Sequence, residues 1–172
     1  MIAPQVLAPH IAHLTAASPL QAGPLSTALC DLSLAVQWCE LHPLQLPGTQ
    51  WVAVVGRKRK DDPLRAVLPL PLHTTALTPK ELRTIFASLL EITVDSLPEA
   101  LPPLAPSMAD LRIQLADKTG EKQEVDEEPE SSEVNDTFDP DTLYVAINDP
   151  DSTVVYYKLS RGIRKPHDIP DE

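Results

Sequence analysis

Between Leu143 and Leu159 the chain reads Leu-Tyr-Val-Ala-Ile-Asn-Asp-Pro-Asp-Ser-Thr-Val-Val-Tyr-Tyr-Lys-Leu. Two runs of β-branched and aromatic residues flank a polar Asp149-Pro150-Asp151 turn, which predicts a β-hairpin. Leu143, Val145 and Ile147 share one face of the first arm. On the return arm Val155, Tyr157 and Leu159 share one face, and Val154, Tyr156 and Lys158 the other. Both sides of the return arm therefore carry apolar bulk, as in a strand covered on both faces. One cover is expected to be the domain's own core, and the other a second chain.

The remaining elements follow in order. Leu25, Ala28, Leu29, Leu32, Val36 and Cys39 recur at helical spacing and predict one helix from Pro24 to Leu41, stopped at His42-Pro43. Trp51 to Val55 and Arg65 to Leu70 predict a second hairpin, with the basic run Arg57-Lys58-Arg59-Lys60 at its tip. Pro69 and Pro71 lack donors, which places the end of that strand at an edge or outside the ladder. Thr78-Pro79-Lys80-Glu81 is a helix start: Thr78 caps, Pro79 suits the first position, and Glu81 is expected to return a bond to the cap. The helix runs to about Ile92. Leu111 to Leu115 alternates as a short strand would.

Charge divides the chain unevenly. The formal net charge is −11, with 25 acidic and 14 basic residues. Asp117 to Asp141 holds eleven of the acids and two of the bases, so −9 lies there and −2 elsewhere. Prolines number 19 of 172 residues, roughly twice the usual ~5% share, and many cluster between Ser96 and Pro106. The expected architecture is a small α/β fold, a mixed or antiparallel sheet with helices on one side. One domain is expected over 21–165, interrupted by a disordered Pro-rich and acidic insertion at 95–141, with flexible ends at 1–20 and 166–172, a short helix from Gln5 or Pro9 to about Ala17 being the alternative to fraying at the first.

Several chemistries find little footing. His10, His13, His42, His73 and His167 are scattered, and neither cysteine has a ligand at zinc spacing. No glycine-rich phosphate loop and no nucleophile elbow occurs. No cofactor or metal is expected. Cys30 and Cys39, about 13 Å apart on one predicted helix, are read as buried free thiols in a reducing compartment. No apolar segment reaches the ~20 residues that span a bilayer, so a soluble intracellular protein is expected. The basic run is a candidate for RNA contact or nuclear import.

Asp151 to Leu159 followed by Gly162 resembles the closing hairpin of the small non-catalytic subunit of eukaryotic tRNA-splicing endonuclease, the Sen-fifteen subunit. Trp51-Val52-Ala53-Val54-Val55-Gly56, Ala66 to Leu72, and Leu77 to Ile85 support the likeness in the same order. The resemblance implies a tRNA-intron endonuclease-like fold and a place in a heterotetramer acting on pre-tRNA. Catalytic members carry a Tyr-His-Lys triad, its histidine before the capped helix and its lysine after it. Here those places read Asp62-Pro63-Leu64-Arg65 and Glu91-Ile92-Thr93-Val94, so no catalytic residue carries over.

The resemblance further implies strand pairing with the subunit that cuts the 3′ splice site, beside the 5′-cutting subunit and a second structural one. Val154, Val155, Tyr156, Tyr157 and Leu159 are the expected interface. Nuclear location is expected, the cytosolic face of the mitochondrial outer membrane being the alternative. Two other functions stay open: a stand-alone ribonuclease using Tyr156, Lys158 and His73, and a homodimeric adaptor unrelated to tRNA.

Overall fold

A computed structural model describes residues 9–104, Leu111, Leu115 and 137–162. Helix α1 (Pro9–Ala17), a 3-10 turn (Pro19–Gln21), helix α2 (Ala22–Cys30) and a π turn (Asp31–Ala35) come first. Strands β1 (Cys39–Gln45), β2 (Val52–Arg57) and β3 (Leu64–Pro71) follow, then helix α3 (Pro79–Glu91) and a 3-10 turn (Val94–Ser96). Strands β4 (Phe138–Asn148) and β5 (Val154–Ser160) close the described chain. The five strands form one mixed sheet in sequence order, antiparallel except for the parallel β3–β4 pair.

Strand alternation sorts the core into two layers. Trp51, Ala53, Val55, Ala66, Leu68, Leu143 and Val145 point toward α3 and bury Ile85, Phe86 and Leu89. Val52, Val54, Val67, Tyr144 and Ala146 point the other way, against Ile11, Leu14, Leu25, Leu29 and Leu32. Helices thus cover both faces, not one. The central strands accordingly read as near-continuous apolar runs. No helix among the described residues is long and apolar enough to cross a membrane.

The single helix expected over Pro24–Leu41 is two elements. The helical ladder widens into the π turn at Asp31–Ala35, and β1 begins at Cys39. A strand with His42-Pro43 at its centre is tolerated because β1 is an edge. Leu46 N–H bonds Trp51 O, so the alternate residues His42 and Leu44 aim their backbone groups at β2. Pro43 therefore faces outward, where no donor is needed. A bulge between Cys39 and His42 puts Glu40 in the left-handed region at φ 53. Leu41 is thrown across Gly56, where a Cβ would stand 2.8 Å from its methyl. Cys30 is exposed and Cys39 half-buried, so the expected pair of buried thiols on one helix is not found.

The ends of the expected insertion are ordered. Phe138 to Asp141 already belong to β4, while 117–136 lie outside the described residues. Leu97 to Leu104 wraps the β1 edge: Leu101 N–H donates to Leu41 O, and the His42 imidazole donates through Nδ1 to Pro98 O at 2.7 Å. Leu111 and Leu115, expected in a strand, are both helical. A spacing of four serves a helix as well as the alternation served a strand. Within the N-terminal segment, the short helix expected as the alternative to fraying is found as α1, from Pro9 to Ala17, with Ile11 and Leu14 buried. At α3, Thr78 Oγ1 accepts the Glu81 N–H as expected. The Glu81 carboxylate does not return to the cap; it accepts from Trp51 Nε1 at 2.8 Å.

Pro69 and Pro71 lie in the central strand, and one buried side chain makes this tolerable. Leu72 N–H bonds Asn148 O, so even-numbered residues of β3 serve β4 and odd-numbered ones face β2. The β2–β3 ladder pairs Val54 with Val67 and stops there. The next pair would set Val52 against Pro69, which has no N–H. Gln21, fully buried, inserts its amide into that gap. Its Nε2 donates to Val52 O and to Pro69 O, both at 2.9 Å. Its Oε1 accepts from Val52 N–H at 2.7 Å and from Ser18 Oγ at 3.0 Å. All four bonding positions of the amide are filled.

Candidate protein-binding edge

β5 is the last strand of the sheet, and its two faces have different fates. Asp149 N–H bonds Thr153 O, and Arg161 N–H bonds Asp141 O. In an antiparallel ladder such bonded pairs alternate. Val155, Tyr157 and Leu159 therefore spend their backbone groups on Ile147, Val145 and Leu143, their register partners. Val154, Tyr156 and Lys158 aim theirs outward, where no further strand lies among the described residues.

The side chains divide the same way. Val154 and Tyr156 pack inward against the α2 layer. Tyr156 donates its hydroxyl to Asp31 Oδ2 at 2.6 Å, and burial together with that carboxylate pushes its phenol well above the usual range. On the α3 side Val155 is 44% and Tyr157 58% exposed. Leu159 is half-buried against the core. Beyond it a groove of about 400 Å³ runs between α3 and the strand's end, floored by Leu82, Phe86 and Leu90. The turn is fixed by Asp151, whose carboxylate accepts the Thr153 N–H at 2.8 Å. Bonds from Thr153 hold that carboxyl below its ordinary value.

The two edges of the sheet thus differ. β1 presents Pro43 outward and is wrapped by 97–104, whereas nothing among the described residues pairs with the outer edge of β5. The five residues expected at the interface all lie on β5, but only Val155 and Tyr157 are strongly exposed. Tyr156 is an internal anchor, which periodicity could not reveal because its partner Asp31 lies 125 residues away.

A family model, described as Sen15 protein, matches residues 113–170. This C-terminal third is Sen15-like. The match spans all of β4 and β5, the residues that carried the resemblance to a tRNA-splicing endonuclease subunit. The further likenesses at Trp51–Gly56, Ala66–Leu72 and Leu77–Ile85 lie outside the matched residues. No curated protein matches the chain.

The other expected sites fare differently. Arg57 is 2% exposed and pairs with Glu40 Oε2 at 2.7 Å, so it does not belong to a solvated basic tip. Lys58, Arg59 and Lys60 remain at the surface. Tyr156, Lys158 and His73 are not brought together. His73 follows Leu72 beside Asn148, opposite Val154. Lys158 lies four residues further along β5, roughly 13 Å at the rise of a strand. Among the described residues no three His, Cys, Asp or Glu side chains converge to hold a metal.

Proposed function

We propose that this chain is a non-catalytic structural subunit of a tRNA-splicing endonuclease. The open β5 edge completes its sheet with a strand of a catalytic subunit, and the complex cleaves pre-tRNA at the intron boundaries in the nucleus. The observation that carries this reading is the coincidence of three properties on one strand: outward backbone groups, exposed Val155 and Tyr157, and a place within the Sen15-matching residues. Strand addition uses such features directly, main-chain bonds fixing register and side chains supplying buried area. Tyr156, held to Asp31 with its proton retained, is suited to bracing this strand and ill suited to abstracting a proton.

Lys158→Pro tests the edge itself. Position 158 points its N–H outward, so proline removes a donor that β4 never used. The variant is expected to keep its far-ultraviolet dichroism and a cooperative urea transition, yet to lose co-purification with the catalytic subunit on co-expression. Association at the wild-type level would reject strand addition at β5. Separately, the chain purified alone is expected to leave intron-containing pre-tRNA uncut. Cleavage that vanishes in His73→Ala would overturn the structural assignment in favour of the ribonuclease.

A further inference from the structure

The sheet gathers cations at one end. β2 finishes at Arg57, β3 begins at Leu64, β4 begins beside it in parallel, and β5 returns to finish at Ser160. Seven of the chain's 14 basic residues therefore meet there: Arg57, Lys58, Arg59, Lys60, Arg65, Lys158 and Arg161. Three are committed to carboxylates, Arg57 to Glu40, Arg65 to Asp139 and Arg161 to Asp141, at 2.7, 3.3 and 3.7 Å. Lys58, Arg59, Lys60 and Lys158 are exposed, and among the described residues Asp61 and Asp62 are the acids left beside them.

One of these cations sits on a ring, and a second is that ring's neighbour on the next strand. Lys58 Nζ lies 4.8 Å above the centroid of Tyr144. Lys158 is the register partner of Tyr144 on β5. Tyr144 is in turn fixed by Trp38, whose ring meets it edge-on at 5.6 Å. The aromatic pair anchors Lys58 over a rigid floor, and Tyr144 is itself too buried to stack on a base. Protein interfaces centre on apolar and aromatic residues. Arg57 to Pro63 offers no such residue except the proline, a surface suited to a polyanion.

Resting on the endonuclease reading above, we infer that Lys58, Arg59, Lys60 and Lys158 form a phosphate-contacting surface for the RNA substrate of the assembled complex. The contact is to the backbone, independent of sequence and sensitive to salt. It drops Arg57 from the basic run and adds Lys158, which only the register of β5 brings near.

The test uses the reconstituted complex, wild type or carrying Arg59→Ser, Lys60→Ser and Lys158→Ser together, with intron-containing pre-tRNA titrated across a KCl series. Each cation lost is expected to flatten the log–log salt slope by about one, and the triple variant to bind at least about tenfold more weakly at physiological salt. Arg59→Ser with Lys60→Ser, remote from the partner edge, is expected to give about two-thirds of the slope change. An assembled variant complex with unchanged slope and affinity overturns the inference. So does loss of nuclear accumulation with RNA binding intact, which assigns the run to import. A wild-type chain that fails to enter the complex refutes instead the endonuclease reading itself.

Discussion

Gln21→Leu is expected to lower the unfolding free energy by about 4 kcal/mol. The leucine fills a similar volume but leaves Val52 N–H, Val52 O and Pro69 O without partners in the middle of a sheet. A buried backbone group that loses its only bond costs roughly 1–3 kcal/mol. Three such groups outweigh the gain from burying an apolar side chain, about 2 kcal/mol. For a chain of this size the melting temperature should fall by on the order of 10 °C. Gln21→Glu should be no better, because a carboxylate cannot donate to the two carbonyls. Urea titration of both variants checks this. A leucine variant within 1 kcal/mol of wild type would show that Val52 and Pro69 find other partners, and that the amide is not what holds the split ladder together.

Tyr157→Asp is expected to act on association instead. The ring is mostly in solvent in the isolated chain, so stability should change by no more than about 0.5 kcal/mol. At a strand-addition interface the same ring becomes a central aromatic anchor. Truncating such an anchor typically costs ~2 kcal/mol or more, about thirtyfold in affinity. A charge at that position adds a desolvation penalty. Titration of the catalytic subunit against the variant measures the loss. An affinity within threefold of wild type would move the interface off this face. Tyr156→Asp is no substitute for this experiment, since it would set two carboxylates together at Asp31 and destabilise the fold itself.

The contrast between those adjacent tyrosines shows where reading the sequence stops. Strand content, the terminal hairpin and the Thr78 start of α3 were legible because they depend on neighbours within a few residues. β1 was not. Trp38 and Leu41 continue the helical spacing of α2, and a proline in mid-strand argues against a strand unless its edge position is already known. Parallel pairing of β3 with β4 spans some seventy residues and has no local mark. The burial of Arg57 likewise depends on Glu40, which the left-handed bulge swings into place. Gln21 left one clue. Two prolines in an apolar strand fit an edge, the expectation drawn from the sequence, and equally a central strand whose missing donor a buried polar side chain supplies.

The unequal edges of the sheet set a limit on stoichiometry. With Pro43 and the 97–104 wrap sealing one side, β5 is the edge that the described residues leave for hydrogen-bonded growth. A building block extensible in a single direction ends any ribbon it joins, so one associate exhausts its capacity and runaway polymerisation is blocked. A partner adding a strand there, as proposed, would join one to one at this junction.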